Sequence, residues 1–91
     1  MTSGPAGATR TGVNVTVRYW ASARAAAGRD TEPFVGSQVG DVLGEAAAAT
    51  HTGLSAVLDA STILVDGRQV TASELLVEGA TLEVLPPFAG G

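Results

Sequence analysis

Apolar and polar residues alternate from Val13 to Trp20, where the sequence reads Val-Asn-Val-Thr-Val-Arg-Tyr-Trp. A period of two is typical of a β-strand with one buried face, so we predict a strand here. A shorter strand is predicted over 31–35, and Pro33 confines it to a sheet edge or to the first residues of the strand, because proline has no amide hydrogen to donate. The alternation Thr-Leu-Glu-Val-Leu predicts the last strand over 81–85.

Two helices are predicted from helical spacing and from the residues that flank it. The first runs from Ser22 to Ala27 and ends at Gly28, since glycine readily takes the left-handed conformation that closes a helix. The second has Ser37 as its N-terminal cap and ends at Gly53. Its apolar residues form one continuous stripe: Val39, Val42, Leu43, Ala46, Ala47 and Thr50.

The remaining segments are predicted to be a turn, a hairpin and a loop. Segment 54–58 is a connecting turn that places Leu54, Val57 or Leu58 in the core. Segments 62–65 and 68–70 flank Asp66-Gly67, a pair that tolerates the positive φ values of a type I′ turn, and so predict a β-hairpin. Residues 74–79 form a loop with a buried leucine.

Strands outnumber helices in this prediction, and only the second helix is long enough to cover a sheet face. The combination favours an α+β roll, in which a mixed sheet wraps over one main helix. The residues predicted to face the core are Val15, Val17, Tyr19, Val39, Val42, Leu43, Ala46, Leu82 and Val84, with either Ile63 or Leu64.

Length and composition indicate one small domain. The 91 residues are 45% apolar, too hydrophobic for an intrinsically disordered chain. We predict a flexible leader over 1–12, a folded domain over 13–85 and an extended tail over 86–91. A net charge of −4 argues against nucleic-acid binding, and the sequence has neither a membrane-length apolar run nor a signal-like start, so we expect a cytoplasmic location without membrane contact.

The inventory of reactive side chains is small. The absence of cysteine excludes disulfides and thiolate catalysis, and the absence of lysine excludes Schiff-base chemistry. His51 has no companions at metal-ligand spacing, so no metal site is predicted. Asp41 and Glu45 lie four residues apart, but acidic residues in a first helical turn are ordinary features that complement the helix dipole. Any reaction is therefore expected to use something other than a side chain.

The C-terminal tail is the most informative segment. Pro86 and Pro87 stiffen the chain after the last strand, and two residues without side chains, Gly90 and Gly91, end the sequence. Six extended residues reach about 20 Å, so the tail can enter a narrow channel. A free carboxylate is a poor electrophile. Adenylation by a partner would convert it to an acyl phosphate anhydride that sulfide or an amine can attack.

From Val13 to Gly91 the chain resembles the MoaD/ThiS sulfur-carrier family of ubiquitin-like (β-grasp) proteins. The matching segments are 17–21 (Val-Arg-Tyr-Trp-Ala), 37–43 (Ser-Gln-Val-Gly-Asp-Val-Leu), 63–67 (Ile-Leu-Val-Asp-Gly) and, most specifically, 78–91 (Glu-Gly-Ala-Thr-Leu-Glu-Val-Leu-Pro-Pro-Phe-Ala-Gly-Gly). The Leu-Pro-Pro that precedes the diglycine is most similar to the small subunit of molybdopterin synthase. Phe88 departs from the pattern, because small aliphatic residues are common at its position.

The resemblance implies a mechanism and a set of partners. An E1-like adenylating enzyme uses ATP to activate the Gly91 carboxylate, and a sulfur donor converts it to a thiocarboxylate. The tail, with Gly90 and Gly91 at its tip, then enters the large subunit of molybdopterin synthase, a heterotetramer, and donates sulfur to a pterin precursor. The chain is then a non-catalytic, sulfur-donating subunit that binds no cofactor itself. Sulfur delivery to thiazole or cysteine synthesis, protein modification through Gly91, and a binding module with an incidental tail remain alternatives.

An apolar surface beside the tail is the expected partner contact. By alternation, Trp20 and Leu85 lie on the outward face of the first and last strands, which the resemblance makes neighbours. Exposed apolar patches mark interfaces more often than chance. We therefore predict partner binding by Trp20, Leu85, Pro86, Pro87, Phe88 and Ala89. The alternative is that Trp20 folds under the first helix as part of the core.

Overall fold

A computed structural model describes residues 12–49 and 53–87 of the chain. The leader up to residue 11, residues 50–52 (which include His51) and the tail from Phe88 onward lie outside these described residues. The elements in chain order are β1 (Val13–Tyr19), α1 (Ala21–Ala27), β2 (Thr31–Gly36), α2 (Val39–Ala49), α3 (Leu54–Ala60), β3 (Thr62–Val65), β4 (Arg68–Gln69) and β5 (Thr81–Leu85).

The strands form one mixed sheet in the order β2-β1-β5-β3-β4. The two central strands, β1 and β5, run parallel, with Val17 opposite Leu82 and Tyr19 opposite Val84. All other neighbouring strands are antiparallel. As predicted, Pro33 lies in an edge strand, because β2 pairs only with β1.

The core lies between one face of this sheet and the three helices, as the alternation along β1 predicts. Its buried members are Val15, Val17, Tyr19, Ala23, Val39, Val42, Ala46, Leu54, Val65, Leu76, Ala80, Leu82 and Val84. Leu43 and Ile63 are half-buried and pack against this cluster. Of the two alternatives in β3, Ile63 rather than Leu64 therefore contacts the core, on the same face of the strand as the buried Val65. The buried leucine of the loop before β5 is Leu76, while its neighbour Leu75 is 70% exposed.

The predicted hairpin is confirmed. Asp66 and Gly67 both have positive φ values, 49° and 86°, as a type I′ turn requires. The Asp66 carboxylate also accepts a hydrogen bond from the Thr81 backbone N–H at 3.1 Å. The turn is therefore tied to the first residue of β5.

Two details of the helices differ from the prediction. Residues 54–60 form the helix α3 rather than a turn, although Leu54 is buried as predicted. Gly53, with a φ of 84°, is the N-terminal cap of α3. The predicted end of α2 at Gly53 falls on a stretch whose residues 50–52 lie outside the described residues. Ser37 does not cap α2, since the first helical amides, those of Asp41 and Val42, donate to the Gln38 carbonyl. The Ser37 hydroxyl instead donates to the Asp41 carboxylate at 3.4 Å.

Candidate functional site

The parallel pairing of β1 and β5 brings both strand ends to one edge of the domain. The Trp20 amide N–H, the first after β1, donates to the Val84 carbonyl of β5 at 3.2 Å. Trp20 therefore lies beside Leu85, the last residue of β5, and next to the start of the tail. The proximity predicted for these two residues is confirmed.

An apolar notch lies at this edge of the sheet, lined by Trp20, Ala21, Leu85 and Pro86, with a volume of about 160 Å³. Trp20 is 41% exposed, Leu85 is half-buried and Pro86 is buried. The alternative in which Trp20 belongs to the core is therefore wrong. The reason is that Trp20 follows the outward series of β1, whereas Tyr19 takes the adjacent buried position.

Two charged neighbours hold the Trp20 ring in place. The Arg18 guanidinium carbon lies 4.8 Å from the centre of the indole ring, a cation–π distance. The indole Nε1–H donates to the Glu83 carboxylate at 3.3 Å. Arg18 and Glu83 are themselves opposite one another in the β1–β5 register. The indole is thus oriented before any partner binds.

The backbone at the notch is strained. Ala21 has a φ of 49°, in the left-handed region that residues with a Cβ rarely adopt. This residue turns the chain from β1 directly into α1, while Trp20 keeps an extended conformation with φ −114° and ψ 151°. Strained residues of this kind tend to cluster at functional sites.

The tail leaves the domain at the notch. Pro86 lines it and Pro87 is exposed, whereas Phe88, Ala89, Gly90 and Gly91 lie outside the described residues. Four extended residues beyond Pro87 reach about 13 Å. The chain between Pro87 and the predicted attachment point at Gly91 is therefore no longer than this.

The family model described as "ThiS family" matches residues 17–91, from the middle of β1 through the diglycine. The chain belongs to the ThiS family. This membership makes it a ThiS/MoaD-like sulfur carrier or a ubiquitin-like modifier. No curated protein matches the chain with significant similarity.

Solved structures confirm the β-grasp fold of this ThiS-family chain. A Pyrococcus furiosus protein provisionally assigned as molybdopterin converting factor subunit 1 is 30% identical, with a TM-score of 0.71 over 84% of this chain and 99% of that one. Small archaeal modifier protein 1 from Methanosarcina acetivorans is 24% identical, with a TM-score of 0.78 over 88% and 98%. A chain in the complex of subunits 1 and 2 of the Helicobacter pylori 26695 molybdopterin-converting factor is 19% identical, with a TM-score of 0.65 over 87% of this chain and 100% of that one.

The other residues considered from the sequence form no second site with one another in the described parts of this ThiS-family protein. Asp41 and Glu45 are exposed on α2, and Glu45 borders a shallow cavity of about 360 Å³ at the β2 edge. Within residues 12–49 and 53–87, no three metal-ligating side chains cluster. Over the same ranges, no helix has the length and apolarity needed to cross a bilayer.

Perturbed ionisable groups lie away from the notch, where they support the ThiS-family fold. Burial, together with the Glu32 carboxylate that its hydroxyl donates to at 3.0 Å, raises the pKa of Tyr19. Hydrogen bonds from the Asn14 backbone and side chain lower the pKa of Glu78, and the Arg68 guanidinium lowers that of Glu74. The Tyr19–Glu32 bond joins β1 to β2, whereas Glu78 and Glu74 tie the loop before β5 to β1 and β4, and none of these residues lines the notch.

Sequence reasoning missed three residues of the site: Arg18, Ala21 and Glu83. Arg18 could have been found, because residues two apart on a strand share a face and Arg18 precedes Trp20 by two. Glu83 could be found only once the β1–β5 register was known, because that register places it opposite Arg18. No sequence signal indicates the positive φ of Ala21, since alanine ordinarily avoids that conformation.

Proposed function

We propose that this protein is the sulfur-carrying small subunit of a molybdopterin synthase, and that the Gly91 carboxylate is the carrying group. The observation that carries the proposal is the ThiS family match over residues 17–91, which extends through the diglycine. The likeness to the Pyrococcus furiosus protein supports the choice of molybdopterin over thiazole or cysteine synthesis. We place this protein in the cytoplasm, where reducing conditions preserve a thiocarboxylate sulfur.

The chemistry has two balanced stages. An adenylating partner joins the Gly91 carboxylate to AMP from ATP and releases pyrophosphate; hydrosulfide then attacks the acyl carbon and expels AMP, which leaves a thiocarboxylate. In the second stage the thiocarboxylate sulfur attacks a carbon of the pterin precursor and displaces an oxygen substituent, which leaves that carbon with the electron pair of the broken carbon–oxygen bond and takes up a proton. Water cleaves the acyl–sulfur bond and restores the Gly91 carboxylate. No electrons are gained or lost by the carrier, and none of its side chains has to react.

The notch supplies the partner contact in this proposal. Trp20 is exposed, aromatic and already oriented by Arg18 and Glu83, and such residues are enriched among those that dominate binding energy. We assign Trp20, Leu85 and Pro86 to the contact with the large subunit, and Pro87, Phe88 and Ala89 to the entrance of its channel. The Helicobacter pylori complex of subunits 1 and 2 supports a large-subunit partner, and we propose a heterotetramer.

Intact-mass spectrometry tests the carrier. The full chain is incubated with an E1-like adenylating enzyme, ATP and sulfide, and the expected product carries one oxygen-to-sulfur exchange located at Gly91. A variant that lacks Gly90 and Gly91 is the matched control and should gain no sulfur. Addition of the large subunit and a cyclic pterin precursor should return the original mass. An unmodified mass in the full chain after incubation with an active adenylating enzyme contradicts the proposal.

Protein modification is the second candidate, and the likeness to small archaeal modifier protein 1 favours it. It shares the adenylation stage, after which a target amine rather than hydrosulfide attacks the acyl carbon and expels AMP. The two functions give different products. Isopeptide-linked species of higher mass in cells, without thiocarboxylate and without loss of molybdopterin on deletion, would replace the carrier proposal with this one.

A further inference from the structure

A second cavity lies near the start of β1, at the far end of that strand from the notch. We call it the edge cavity, because three of its residues belong to β2, an outer strand of the sheet. Its volume is about 360 Å³, and the described residues that line it are Asn14, Pro33, Phe34, Val35 and Glu45. Ligand pockets measure about 300–1,000 Å³, so the edge cavity has room for part of a partner molecule.

The lining of the edge cavity combines apolar walls with hydrogen-bond acceptors. The three β2 residues supply the apolar walls. Asn14 turns its Nδ2 group towards the Glu78 carboxylate at 3.0 Å, which leaves its Oδ1 atom to accept. An ionised carboxylate such as that of Glu45 accepts and does not donate. A lysine or arginine side chain matches this lining, because its aliphatic stem packs on apolar surface while its cationic head donates hydrogen bonds.

Glu45 has no cationic partner among residues 12–49 and 53–87. It is exposed on α2. Over the same ranges, three arginines pair with other carboxylates, and the fourth, Arg18, stacks on Trp20. The net charge of the whole chain is −4, which also attracts cationic partners. A lysine or arginine from another molecule would therefore complement Glu45.

The free edge of β2 provides main-chain groups beside the cavity. Asn14 and Val35 are opposite one another in the β1–β2 register. The Asn14 carbonyl accepts from the Gly79 amide on the other side of β1, so Val35 directs its own N–H and C=O to the free edge. An extended peptide can pair with such groups, while side-chain pockets along the edge give specificity. Pro33, two residues earlier, confines this pairing to a short segment, since it has a carbonyl but no N–H.

We propose that the edge cavity binds a short extended segment of a partner protein, whose lysine or arginine side chain enters the cavity and whose backbone pairs with Val35. This site is separate from the notch. Trp20 follows Asn14 by six residues of extended chain, which at about 3.3 Å per residue is about 20 Å. One partner can therefore bind the edge cavity while another occupies the notch, and the proposal does not depend on sulfur transfer.

Nuclear magnetic resonance titration of the isotope-labelled full chain tests the site. The probe is a synthetic peptide, acetyl-Val-Thr-Lys-Thr-Val-amide, which has strand-forming residues around one lysine. We expect saturable shifts of the Val35 amide signal and a dissociation constant on the order of 1 mM, because one side chain and two main-chain hydrogen bonds are gained. The same peptide with methionine in place of lysine should bind about fivefold more weakly, since it loses the charge. No saturable shift with the lysine peptide, or equal affinity of the two peptides, would overturn the proposal.

Glu45→Gln and Asp41→Asn are a matched pair of variants. Each removes one carboxylate from an exposed position of α2, and Glu45 lines the cavity whereas Asp41 does not. Because both side chains are exposed, both variants should keep the fold. Glu45→Gln is expected to weaken binding of the lysine peptide about fivefold, and Asp41→Asn by less than about twofold. Equal weakening would show that net charge attracts the peptide, and it would overturn the assignment to the edge cavity.

A variant without residues 1–11 tests whether the leader competes for the same place. Its affinity for the lysine peptide should equal that of the full chain. If the peptide binds only when the leader is removed, the leader occupies the edge cavity and the proposal is overturned. The titration needs neither ATP nor an adenylating enzyme, so its outcome is independent of the mass measurement that reports sulfur transfer.

Discussion

Trp20 combines three properties at the scale of a single residue: it is 41% exposed, it is oriented by two charged neighbours, and it adjoins the exit of the tail. Exposure alone would not distinguish it from Leu75 or Val77, which are 70% and 65% exposed. Those two residues have no comparable cation–π contact, and they lie on the loop before β5, away from the tail exit. Orientation and position therefore single out Trp20.

Substitution of Trp20 should affect binding more than folding. Trp20→Ala is expected to weaken binding to the large subunit by about 2 kcal/mol, roughly 30-fold, as for a central interface aromatic. The free energy of unfolding should change by less than about 1 kcal/mol, because the side chain lies outside the core. Calorimetric titration and urea unfolding measure the two effects. Val77→Ala is the matched control; unchanged affinity with a large fall in stability would contradict the assignment.

Ala21 stores backbone strain next to Trp20. A left-handed φ costs a residue with a Cβ about 1 kcal/mol, a cost that glycine does not have. Ala21→Gly should therefore leave the free energy of unfolding unchanged or raise it by up to about 1 kcal/mol. Ala25→Gly, in the interior of the same helix, should lower it by about 1 kcal/mol. Equal losses in the two variants, measured by urea unfolding, would show that Ala21 is not strained.

The candidate site was partly predictable from sequence at this scale. Strand alternation places Trp20 and Leu85 outward, and the family resemblance makes their strands neighbours. The contacts of Trp20 with Glu83, and the φ of Ala21, depend on how β1 and β5 pair and on how tightly the chain turns. Those are properties of the assembled sheet, which local periodicity does not encode.

At the scale of elements, long periodic segments were predicted well and short ones less so. The five predicted strands and the predicted helices α1 and α2 are confirmed within a few residues. Helix α3 was predicted as a turn although Leu54, Val57 and Leu58 have helical spacing. It is as short as α1 but is not followed by a glycine such as Gly28, which marked the end of α1. The predicted end of α2 at Gly53 stays a prediction, because residues 50–52 lie outside the described residues.

Pro33 limits pairing at the free edge of β2. The Tyr19 amide donates to the Asp30 carbonyl at 2.8 Å, and hydrogen-bonded pairs alternate along an antiparallel ladder, so Pro33 opposite Thr16 directs its nitrogen to the free edge. Pro33→Val restores a donor there. Its self-association constant should rise about tenfold, equivalent to roughly one extra hydrogen bond. Sedimentation velocity measures the self-association constant, with Pro87→Val as a control outside the sheet. If both variants self-associate no more strongly than the unmodified protein, Pro33 does not limit pairing at this edge.

The loop before β5 is fastened by an acid-sensitive clamp. Glu78 accepts hydrogen bonds from the Asn14 backbone N–H at 2.9 Å and from Asn14 Nδ2 at 3.0 Å. These bonds hold the pKa of Glu78 below its ordinary value of 4.5. The unfolded chain therefore binds the proton more tightly, so the stabilisation is present above pH 4.5 and is lost as the pH falls through the folded-state pKa.

Glu78→Gln should remove this part of the pH dependence. Between about pH 7 and about pH 3, the urea midpoint of the variant should fall less than that of the unmodified protein, because glutamine does not titrate. Asn14→Ala, which keeps the backbone donor, should give an intermediate slope. Superimposable pH profiles for Glu78→Gln and the unmodified protein would show that the clamp adds nothing.

At the scale of the whole molecule, the first and last strands meet in the centre of the sheet. β1 and β5 contribute Val15, Val17, Tyr19, Leu82 and Val84 to the core, and their ends form the notch. The predicted α+β roll is confirmed, and the domain boundaries at 13–85 stay a prediction. Fold class could be predicted because it follows from element order, whereas the pairing of the two terminal strands came from the family resemblance.

The central position of β5 has a consequence for how the carrier is made. A nascent chain cannot close its sheet until this strand has left the ribosome, because β1 and β3 have no other common neighbour. Truncated or misfolded copies therefore lack the paired strand ends around Trp20. A partner that binds at the notch would therefore bind only those copies whose sheet has closed.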